Sequence, residues 1–241
     1  GSGGGGKGGG KGVKQPSFGS ECLRLARALS SSQKLPGIVF CLSRRHCVDG
    51  AKAVAPLNLL TGLKPKHRRG GKHGDDDEDD DEDDEEEEGA GDGGDGGDGG
   101  GAEGAAASEA RQAESARRSL VKANRRAMQA MHRAHLERFM PELGLLDAYK
   151  DVMSLLERGV AYHHSGMLPV LREFVEMCFQ QKLVKLVFAT ETLAVGVNMP
   201  ARTVVFSQLD KPNDSGLPGH RALRPDEFWQ MAGRAGRRGM D

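Results

Sequence analysis

One segment indicates the fold class of this 241-residue chain: Pro36-Gly-Ile-Val-Phe-Cys-Leu-Ser-Arg-Arg45. Pro36 and Gly37 break the chain, and the five apolar residues 38–42 predict a strand that is buried on both faces. The polar turn Ser43-Arg44-Arg45 leads into a helix that is expected to run to about Val54. A strand, a polar turn and a helix in this order are the basic unit of an α/β domain.

The alternation of strands and helices continues towards the end of the chain. Residues 160–163, 183–188 and 203–206 predict further strands, and an apolar stripe at helical spacing predicts a helix that begins at Pro169. A last helix is expected to begin at Pro225 and to carry the arginines near the C-terminus. This order predicts a mostly parallel sheet with helices on both faces.

A low-complexity insertion interrupts the pattern. All fourteen residues from 75 to 88 are acidic; basic residues precede them, and Gly/Asp repeats follow. Such a composition cannot bury enough apolar surface to fold, so we expect residues 61–107 to be disordered. The Gly-rich start of the chain has the same property. The predicted organisation is a disordered segment 1–16, the first part of the domain at 17–60, the insertion at 61–107 and the remainder at 108–241, which opens with a helix over 108–140.

The acidic insertion masks a strongly basic protein. The formal net charge is −1, but seventeen of the 35 acidic residues lie at 75–98, where the chain has no Lys or Arg. The remaining chain therefore carries 34 basic and 18 acidic side chains, a surplus of 16 positive charges. Such a surplus indicates a polyanionic partner. A further hypothesis is that the insertion competes with RNA for this basic surface.

The cysteines and the hydropathy of the chain favour an intracellular protein. The four cysteines lack a C-x-x-C pair and a histidine partner at zinc spacing, so buried reduced thiols are expected. No apolar stretch reaches the roughly 18 residues of a membrane span, and no signal-peptide pattern opens the chain. Because the chain starts with Gly1 and stops within a motif, we expect a fragment of a longer protein.

Polar residues follow each predicted strand. Ser43 follows the first strand, His164 the second and Thr190 the third. Ligands of parallel sheets bind at the carboxyl ends of the strands, so these residues are expected to line one binding rim. The hydroxyls of Thr190 and Thr192 suit phosphate oxygens, and Gly196 permits close approach of the backbone. The alternative is that the two threonines only cap a short helix.

The adjacent histidines in His163-His164-Ser165-Gly166 are not expected to bind a metal. Neighbouring side chains on a strand point to opposite faces, and no third ligand lies at a matching spacing. A polar turn that faces nucleic acid is the better interpretation, and no metal site is predicted.

The end of the chain carries a pattern that suits phosphate chemistry. Gln230, Gly233, Arg234 and Arg237 fit Q-x-x-G-R-x-x-R. Arginine is always charged, and its rigid fork of donors matches phosphate oxygens. Two arginines three residues apart on a helix can converge on one triphosphate, as arginine fingers do. The alternative is a basic helix end that complements the helix dipole or binds nucleic acid.

Taken in order, these segments resemble the motifs of superfamily 2 helicases, specifically the superkiller-like group of DExH RNA helicases. Val39-Phe-Cys-Leu-Ser-Arg-Arg-His-Cys47 resembles motif IV, and Gly159-Val-Ala-Tyr-His-His-Ser-Gly-Met-Leu-Pro169 resembles the segment before motif V. Phe188-Ala-Thr-Glu-Thr-Leu-Ala-Val-Gly-Val-Asn-Met-Pro-Ala-Arg-Thr-Val-Val-Phe206 is similar to motif V, and residues 230–241 are similar to motif VI. The resemblance covers about 36–56 and 142–241, and it implies the second RecA-like domain of the motor.

The resemblance also implies roles for single residues. Arg234 and Arg237 are expected to reach the β- and γ-phosphates of ATP as catalytic residues, and Gln230 to contact the γ-phosphate or to position the attacking water. The nucleotide is expected to lie close to Gly196, Asn198 and Gly233. RNA phosphates are expected to contact Thr190 first, with Ser43, Arg44, His164 and Thr192 as further RNA-binding candidates.

Two departures from the family pattern limit the expectation. The chain lacks the first RecA-like domain, whose phosphate loop and DExH box would bind most of the ATP and its Mg²⁺, so the fragment alone is expected to be inactive. Gln180-Gln181-Lys182 also stands where the pattern has a glycine turn before a strand.

The predicted function is therefore half of an ATP-dependent RNA helicase motor that drives RNA unwinding or translocation. Two alternatives remain open: a non-catalytic module that binds RNA or other polyanions, and a DNA helicase of the same superfamily, since both polymers are gripped through phosphates. The resemblance further implies exosome-type RNA decay machinery as a partner. It leaves the nucleus and the cytoplasm equally open.

Overall fold

The computed structural model describes residues 16–60, 101–195, 199, 201–213 and 218–236, without the side chains of 101–107, 109 and 110. Along these residues the α-helices and strands follow in the order α1 (Phe18–Ser31), β1 (Gly37–Phe40), α2 (Arg44–Val54), α3 (Gly101–His135), α4 (Met140–Leu143), α5 (Asp147–Leu156), β2 (Val160–His163), α6 (Pro169–Gln180), β3 (Leu186–Ala189), β4 (Thr203–Phe206), β5 (Asp210–Pro212), β6 (His220–Ala222) and α7 (Pro225–Ala232). Short 3₁₀ helices cover Ala55–Leu57, Glu137–Phe139 and Glu191–Ala194.

The central sheet is parallel, with the strand order β2-β3-β1-β4. Phe40 of β1 lies beside Ala189 of β3 and Phe206 of β4, and His163 of β2 lies on the other side of Ala189. Every residue of β1, β2 and β3 is buried. Because neighbouring side chains on a strand point to opposite faces, both faces of these strands are covered. The prediction of an α/β domain with a parallel sheet is confirmed.

Two strands are shorter than predicted. β1 ends at Phe40 rather than at residue 42, and β3 begins at Leu186 rather than at residue 183. Leu42 and Leu183 are nevertheless buried. Apolar burial therefore extends beyond the hydrogen-bonded ladder, and a prediction from hydropathy overestimates the strand length for that reason.

Helix α2 packs closely on the sheet through Gly50. A Cβ atom at this position would lie 2.6 Å from the Phe188 ring, so a glycine allows the helix to approach β3. Helices α5 and α6 contact β2, and α3 contacts α6. The buried rings of Phe40, Phe174 and Phe188 lie in the resulting core.

The turn between α6 and β3 has a lysine in the position where the family pattern has a glycine. Lys182 adopts a left-handed conformation, with φ of 61°. The Leu183 N–H donates to the Cys178 carbonyl and the Lys182 N–H donates to the Phe179 carbonyl, both at 2.9 Å. This is the Schellman arrangement, in which a glycine usually takes the left-handed position. The turn that the family pattern expects is thus formed here by Lys182.

Helix α3 begins earlier than predicted, at Gly101 rather than at residue 108. The last seven residues of the predicted insertion are therefore helical, while residues 61–100 lie outside the described residues, as do 1–15 of the Gly-rich start. The buried Met128 of α3 lies 3.5 Å from the Cys178 sulfur of α6. His132 Nε2 lies 2.7 Å from the Tyr149 hydroxyl of α5. These contacts anchor the C-terminal half of α3 to the core.

Helix α7 ends at Ala232, so Arg234 does not lie on this helix as predicted, and Arg237 lies outside the described residues. Arg234 lies in the turn that follows, and Ala235 forms a parallel bridge with Ala201. Gly236 then takes a positive φ of 66°. The main-chain pairing with Ala201 uses groups that a longer helix would bond internally, and it ends α7 for that reason.

In the part of the chain that the structure describes, no helix combines the length and the apolar character that crossing a membrane requires.

Candidate functional site

The ends of three parallel strands bring the predicted polar residues to one edge of the sheet. The Thr190 N–H donates to the His163 carbonyl at 3.1 Å, and the Cys41 N–H donates to the Ala189 carbonyl at 2.9 Å. These bonds set the residues after β2, β3 and β1 side by side. We call the residues Ser43, Arg44, His164, Thr190 and Thr192 at this carboxyl edge the rim.

The two rim threonines form a hydroxyl pair. Thr190 Oγ1 lies 2.9 Å from Thr192 Oγ1, and Thr190 is only 6% exposed. Thr190 occupies the N-cap position of the 3₁₀ helix Glu191–Ala194, but its side chain makes no capping hydrogen bond within the described residues. The capping alternative therefore does not account for its hydroxyl.

Arg44 is oriented by the turn after β2. Its Nη2 donates to the Ser165 Oγ at 2.9 Å. A Cβ atom on Gly166 would lie 3.3 Å from Arg44 Nη1 and 3.3 Å from His164 Nδ1, so a glycine leaves room for both side chains. Arg44 itself is exposed. The contact joins the motif IV segment to the His-His-Ser-Gly turn, and the sequence analysis did not assign Ser165 this role.

The environment of His164 favours its neutral form with the proton on Nε2. Its Nδ1 accepts a hydrogen bond from the Gly166 N–H at 3.1 Å, and its ring stacks on Tyr162 with the centroids 5.4 Å apart. Burial is the largest cause that lowers the pKa of His164, and the positive charge of Arg44 adds to it. The Nε2–H can therefore serve as a neutral donor at the rim.

His163 points away from its neighbour and has a separate, buried partner. Its Nε2 lies 2.7 Å from Glu176 Oε1 of α6, and the residue is 2% exposed. Burial lowers the pKa of His163 although Glu176 favours its protonation. No group of three potential metal ligands occurs among the described residues.

Ser43, the remaining rim residue, is half-buried and directly precedes α2.

The segment that resembles motif VI is hydrogen-bonded to the segment that resembles motif V. The guanidinium of Arg234 donates to the Ala194 carbonyl. The Ala201 N–H donates to the Arg234 carbonyl at 2.9 Å, and the Gly236 N–H donates to the Ala201 carbonyl at 3.1 Å. Arg234 is thus held to motif V through its side chain and its backbone.

The other predicted nucleotide residues are only partly described. Gln230 is exposed on α7, and Gly233 caps the end of that helix. The remaining predicted residues, Gly196, Asn198 and Arg237, lie outside the described residues.

A charged cluster fixes the start of α7. Glu227 accepts two hydrogen bonds from Arg221, at 2.8 and 2.6 Å, and one from the Arg224 N–H at 2.9 Å. Lys211 Nζ lies 3.2 Å from the same carboxylate. The Arg221 guanidinium is the largest cause that holds the pKa of Glu227 well below its usual value of 4.5. Sequence analysis missed this cluster because its members come from β5, β6 and α7.

Phe228 anchors the same helix to the sheet. Its ring stacks on Phe206 of β4, with the centroids 4.9 Å apart and the planes 20° apart. The cluster and the stacked rings together set the position of the residues that follow α7.

Comparisons with known proteins identify the family of this chain. The model of the helicase conserved C-terminal domain family matches residues 115–239. The human superkiller complex protein 2 is 61% identical over 87 residues, which are 36% of this chain and 7% of that protein. The antiviral helicase SKI2 of Saccharomyces cerevisiae is 56% identical over 88 residues, which are 36% of this chain and 7% of that protein.

A plant helicase is similar to the chain over a comparable length. A DExH-box ATP-dependent RNA helicase of Arabidopsis thaliana is 53% identical over 96 residues, which are 40% of this chain and 9% of that protein. The matched part of the chain thus spans less than a tenth of the length of these three relatives. The family match takes in more than half of the chain and includes the motif V and motif VI segments, and the chain therefore belongs to the helicase conserved C-terminal domain family, in the superkiller-like DExH group of superfamily 2.

Proposed function

We propose that this chain acts as the second RecA-like motor domain of an ATP-dependent RNA helicase. One observation carries the proposal: a single segment, residues 190–201, connects the two halves of the candidate site. Its first residue, Thr190, lies on the rim, and its last residue, Ala201, is hydrogen-bonded to the backbone of Arg234. A segment in this position can couple RNA contact to the residues that face ATP.

The nucleotide half of the proposal rests on the donors near the junction of motifs V and VI. Arg234 and Arg237 would contact the β- and γ-phosphates, because guanidinium groups offer paired donors to phosphate oxygens. Gln230, exposed on α7, would contact the γ-phosphate or orient water. Gly196, Asn198 and Gly233 would lie close to the nucleotide.

Magnesium would be bound by the first RecA-like domain of the full-length protein. The described residues of this chain contain no group of three His, Cys, Asp or Glu side chains that could hold a metal ion. The ion would neutralise phosphate charge during phosphoryl transfer. This chain would add the positive charge of its arginines from the opposite side and would not hydrolyse ATP alone.

The RNA half of the proposal rests on the rim. Arg44 is exposed and oriented by Ser165, so it can pair with a backbone phosphate. The Thr190 and Thr192 hydroxyls, the His164 Nε2–H and the Ser43 hydroxyl are further donors at the same edge. Because these groups would contact phosphates and not bases, RNA is expected to bind with little sequence preference.

Binding of a fluorescent single-stranded RNA to the chain tests the rim assignment. Arg44→Ala and Thr190→Val should both weaken binding, while Arg45→Ala should bind as the unaltered chain does. Arg45 is the matched control because it is the neighbouring arginine, is 87% exposed and pairs only with Asp49 among the described residues. Equal affinity in all four proteins would remove the rim from the RNA interface.

The remaining parts of the proposal concern substrate and partners. RNA is favoured over DNA because the plant relative is named an ATP-dependent RNA helicase. ATPase stimulation of the full-length protein by RNA and by DNA of one sequence would separate them; equal stimulation would contradict the preference. We also propose an intracellular location and a role with exosome-type RNA decay machinery; both rest on the resemblance to superkiller-like helicases, and the human relative is named superkiller complex protein 2.

A further inference from the structure

A cavity of about 680 Å³ lies between α3, α5 and the loop at residues 58–60. Arg158 and Leu183, which precede β2 and β3, line its wall. The cavity is therefore at the amino-terminal edge of the sheet, whereas the rim is at the carboxyl-terminal edge. The proposed ATP and RNA contacts leave this cavity without a role.

Helix α3 forms one wall of the cavity with a stripe at helical spacing. The lining residues of this helix are Val121, Asn124, Arg125, Met128, Gln129, His132 and Arg133. Met128 is buried against α6, and His132 is bonded to Tyr149 of α5. These contacts hold α3 against the core, so the backbone positions of its charged residues are fixed.

The mouth of the cavity is positively charged. Arg125, Arg133 and Arg158 line it and are exposed, and the carboxylate of Glu157 also lines it. Two more exposed basic residues lie on the same face of α3, one and two turns before Arg125, because residues three and four apart share a helix face. We define the basic stripe as Arg118, Lys122, Arg125 and Arg133.

The most acidic segment of the chain is tethered to both walls of this cavity. The described residues stop at Leu60, which lines the cavity, and resume at Gly101, the first residue of α3. The acidic run 75–88 lies between these two points. An extended tether of about fifteen residues from Leu60 spans roughly 50 Å, and one of about thirteen residues to Gly101 spans roughly 43 Å. Helix α3 rises only about 36 Å from Gly101 to Arg125, so both tethers reach the stripe.

We propose that the basic stripe and the mouth of the cavity bind the acidic run 75–88 of the same chain. Fourteen consecutive carboxylates are a polyanion of opposite charge to the stripe. Tethering at both ends gives them an effective concentration on the order of millimolar, so weak individual pairs suffice. The stripe is exposed, and salt screens the attraction. The inference does not depend on the proposed helicase function, because the stripe and the rim lie at opposite edges of the sheet.

Carbodiimide cross-linking of the full chain tests the contact directly, because it joins a lysine amine to a carboxylate only when the two groups touch. The expected result is a cross-link between Lys122 and the run 75–88 in the monomer fraction, weakened by high salt and lost in Lys122→Arg. A Lys52–Asp151 cross-link serves as the positive control, since these groups are 2.6 Å apart. Equal cross-linking of the run to Lys34, an exposed lysine after α1, would overturn the proposal, as would cross-links between two copies.

Binding of an acidic peptide tests the same contact without cross-linking. In a chain whose run 75–88 is changed from Asp/Glu to Asn/Gln, a separate peptide of fourteen acidic residues serves as the probe. The peptide should bind this chain, and Arg125→Glu with Arg133→Glu should weaken binding by at least ~10-fold. Failure of the peptide to bind, or loss of RNA rather than peptide binding in the double variant, would overturn the proposal and assign the stripe to RNA.

Discussion

The guanidinium of Arg234 donates a hydrogen bond to the main-chain carbonyl of Ala194, forty residues earlier in the chain. The backbone of Arg234 is bonded to Ala201, so two residues of the motif V segment, Ala194 and Ala201, contact one arginine. A movement of this segment would therefore move Arg234. Thr190 on the rim belongs to the same segment, so the segment would link the proposed RNA contact to the proposed ATP site.

Replacement of Thr190 by valine should weaken RNA binding while the fold is kept, because the two side chains have nearly the same shape. The loss of one phosphate contact is expected to cost about 1 kcal/mol, or roughly fivefold in Kd. RNA titration and thermal melting measure the two properties. Thr203→Val is the matched control, since its hydroxyl bonds the Lys34 carbonyl at the start of β4. A normal Kd for Thr190→Val would exclude its hydroxyl from RNA binding.

The contact between Arg44 and Ser165 predicts coupled effects on RNA affinity. Arg44→Ala should weaken binding about tenfold and reduce the slope of log K against log salt by about 0.7, because one phosphate contact to a single strand is lost. Ser165→Ala should weaken binding about two- to threefold with the slope unchanged, since the charge remains. In the double variant the effect of Ser165→Ala should disappear. Additive losses would show that the 2.9 Å bond does not orient Arg44 for RNA.

Glu227→Gln should destabilise the domain by on the order of 1 kcal/mol, which lowers the melting temperature by about 2–4 °C. The folded-state pKa of this carboxyl is depressed, so its stabilising effect is present above the unfolded value and is lost as pH falls. The difference between the two proteins should therefore be largest above pH 4.5, the usual value, and shrink below it. Melting at several pH values measures this. A gap that widens in acid would contradict the role of the Arg221 pair.

His163→Gln should reduce the dependence of stability on pH. Burial depresses the pKa of His163 below its usual 6.5, so the unfolded chain binds a proton more readily and stability is lost as pH falls through that value. Between about pH 7.5 and 5.5, the melting temperature of the unaltered chain should fall more than that of the variant. His220→Gln is the control, because His220 is exposed on β6. Equal losses in the variant and the unaltered chain would show that His163 does not titrate with folding.

The fold could be predicted from the sequence where local hydropathy determines it. The apolar residues 38–42 and 183–188 identified β1 and β3, and the polar residues after them identified the rim, because strand direction alone brings carboxyl ends together. The helix Pro169–Gln180 likewise followed from its apolar stripe. These features depend on residues that are close together in the sequence.

The features that the sequence did not reveal depend on distant partners. The end of α7 at Ala232 is set by the main chain of Ala201, so helical spacing predicted too long a helix. Lys182 adopts a left-handed conformation, which residues other than glycine rarely do, so its residue type did not indicate the turn. The bond between Arg44 and Ser165 joins residues 121 positions apart. Local patterns carry no information on such contacts.

The arginines of this chain are proposed to complete an ATP site whose other half lies in the first RecA-like domain. The most direct measurement is RNA-stimulated ATP hydrolysis by the full-length protein with Arg237→Ala, with RNA affinity measured in parallel. Loss of an arginine finger should lower turnover by about 10³-fold or more. RNA affinity should remain normal, and Arg24→Ala, which changes an exposed arginine on α1, should hydrolyse ATP normally. Near-normal turnover by Arg237→Ala would exclude Arg237 as an arginine finger.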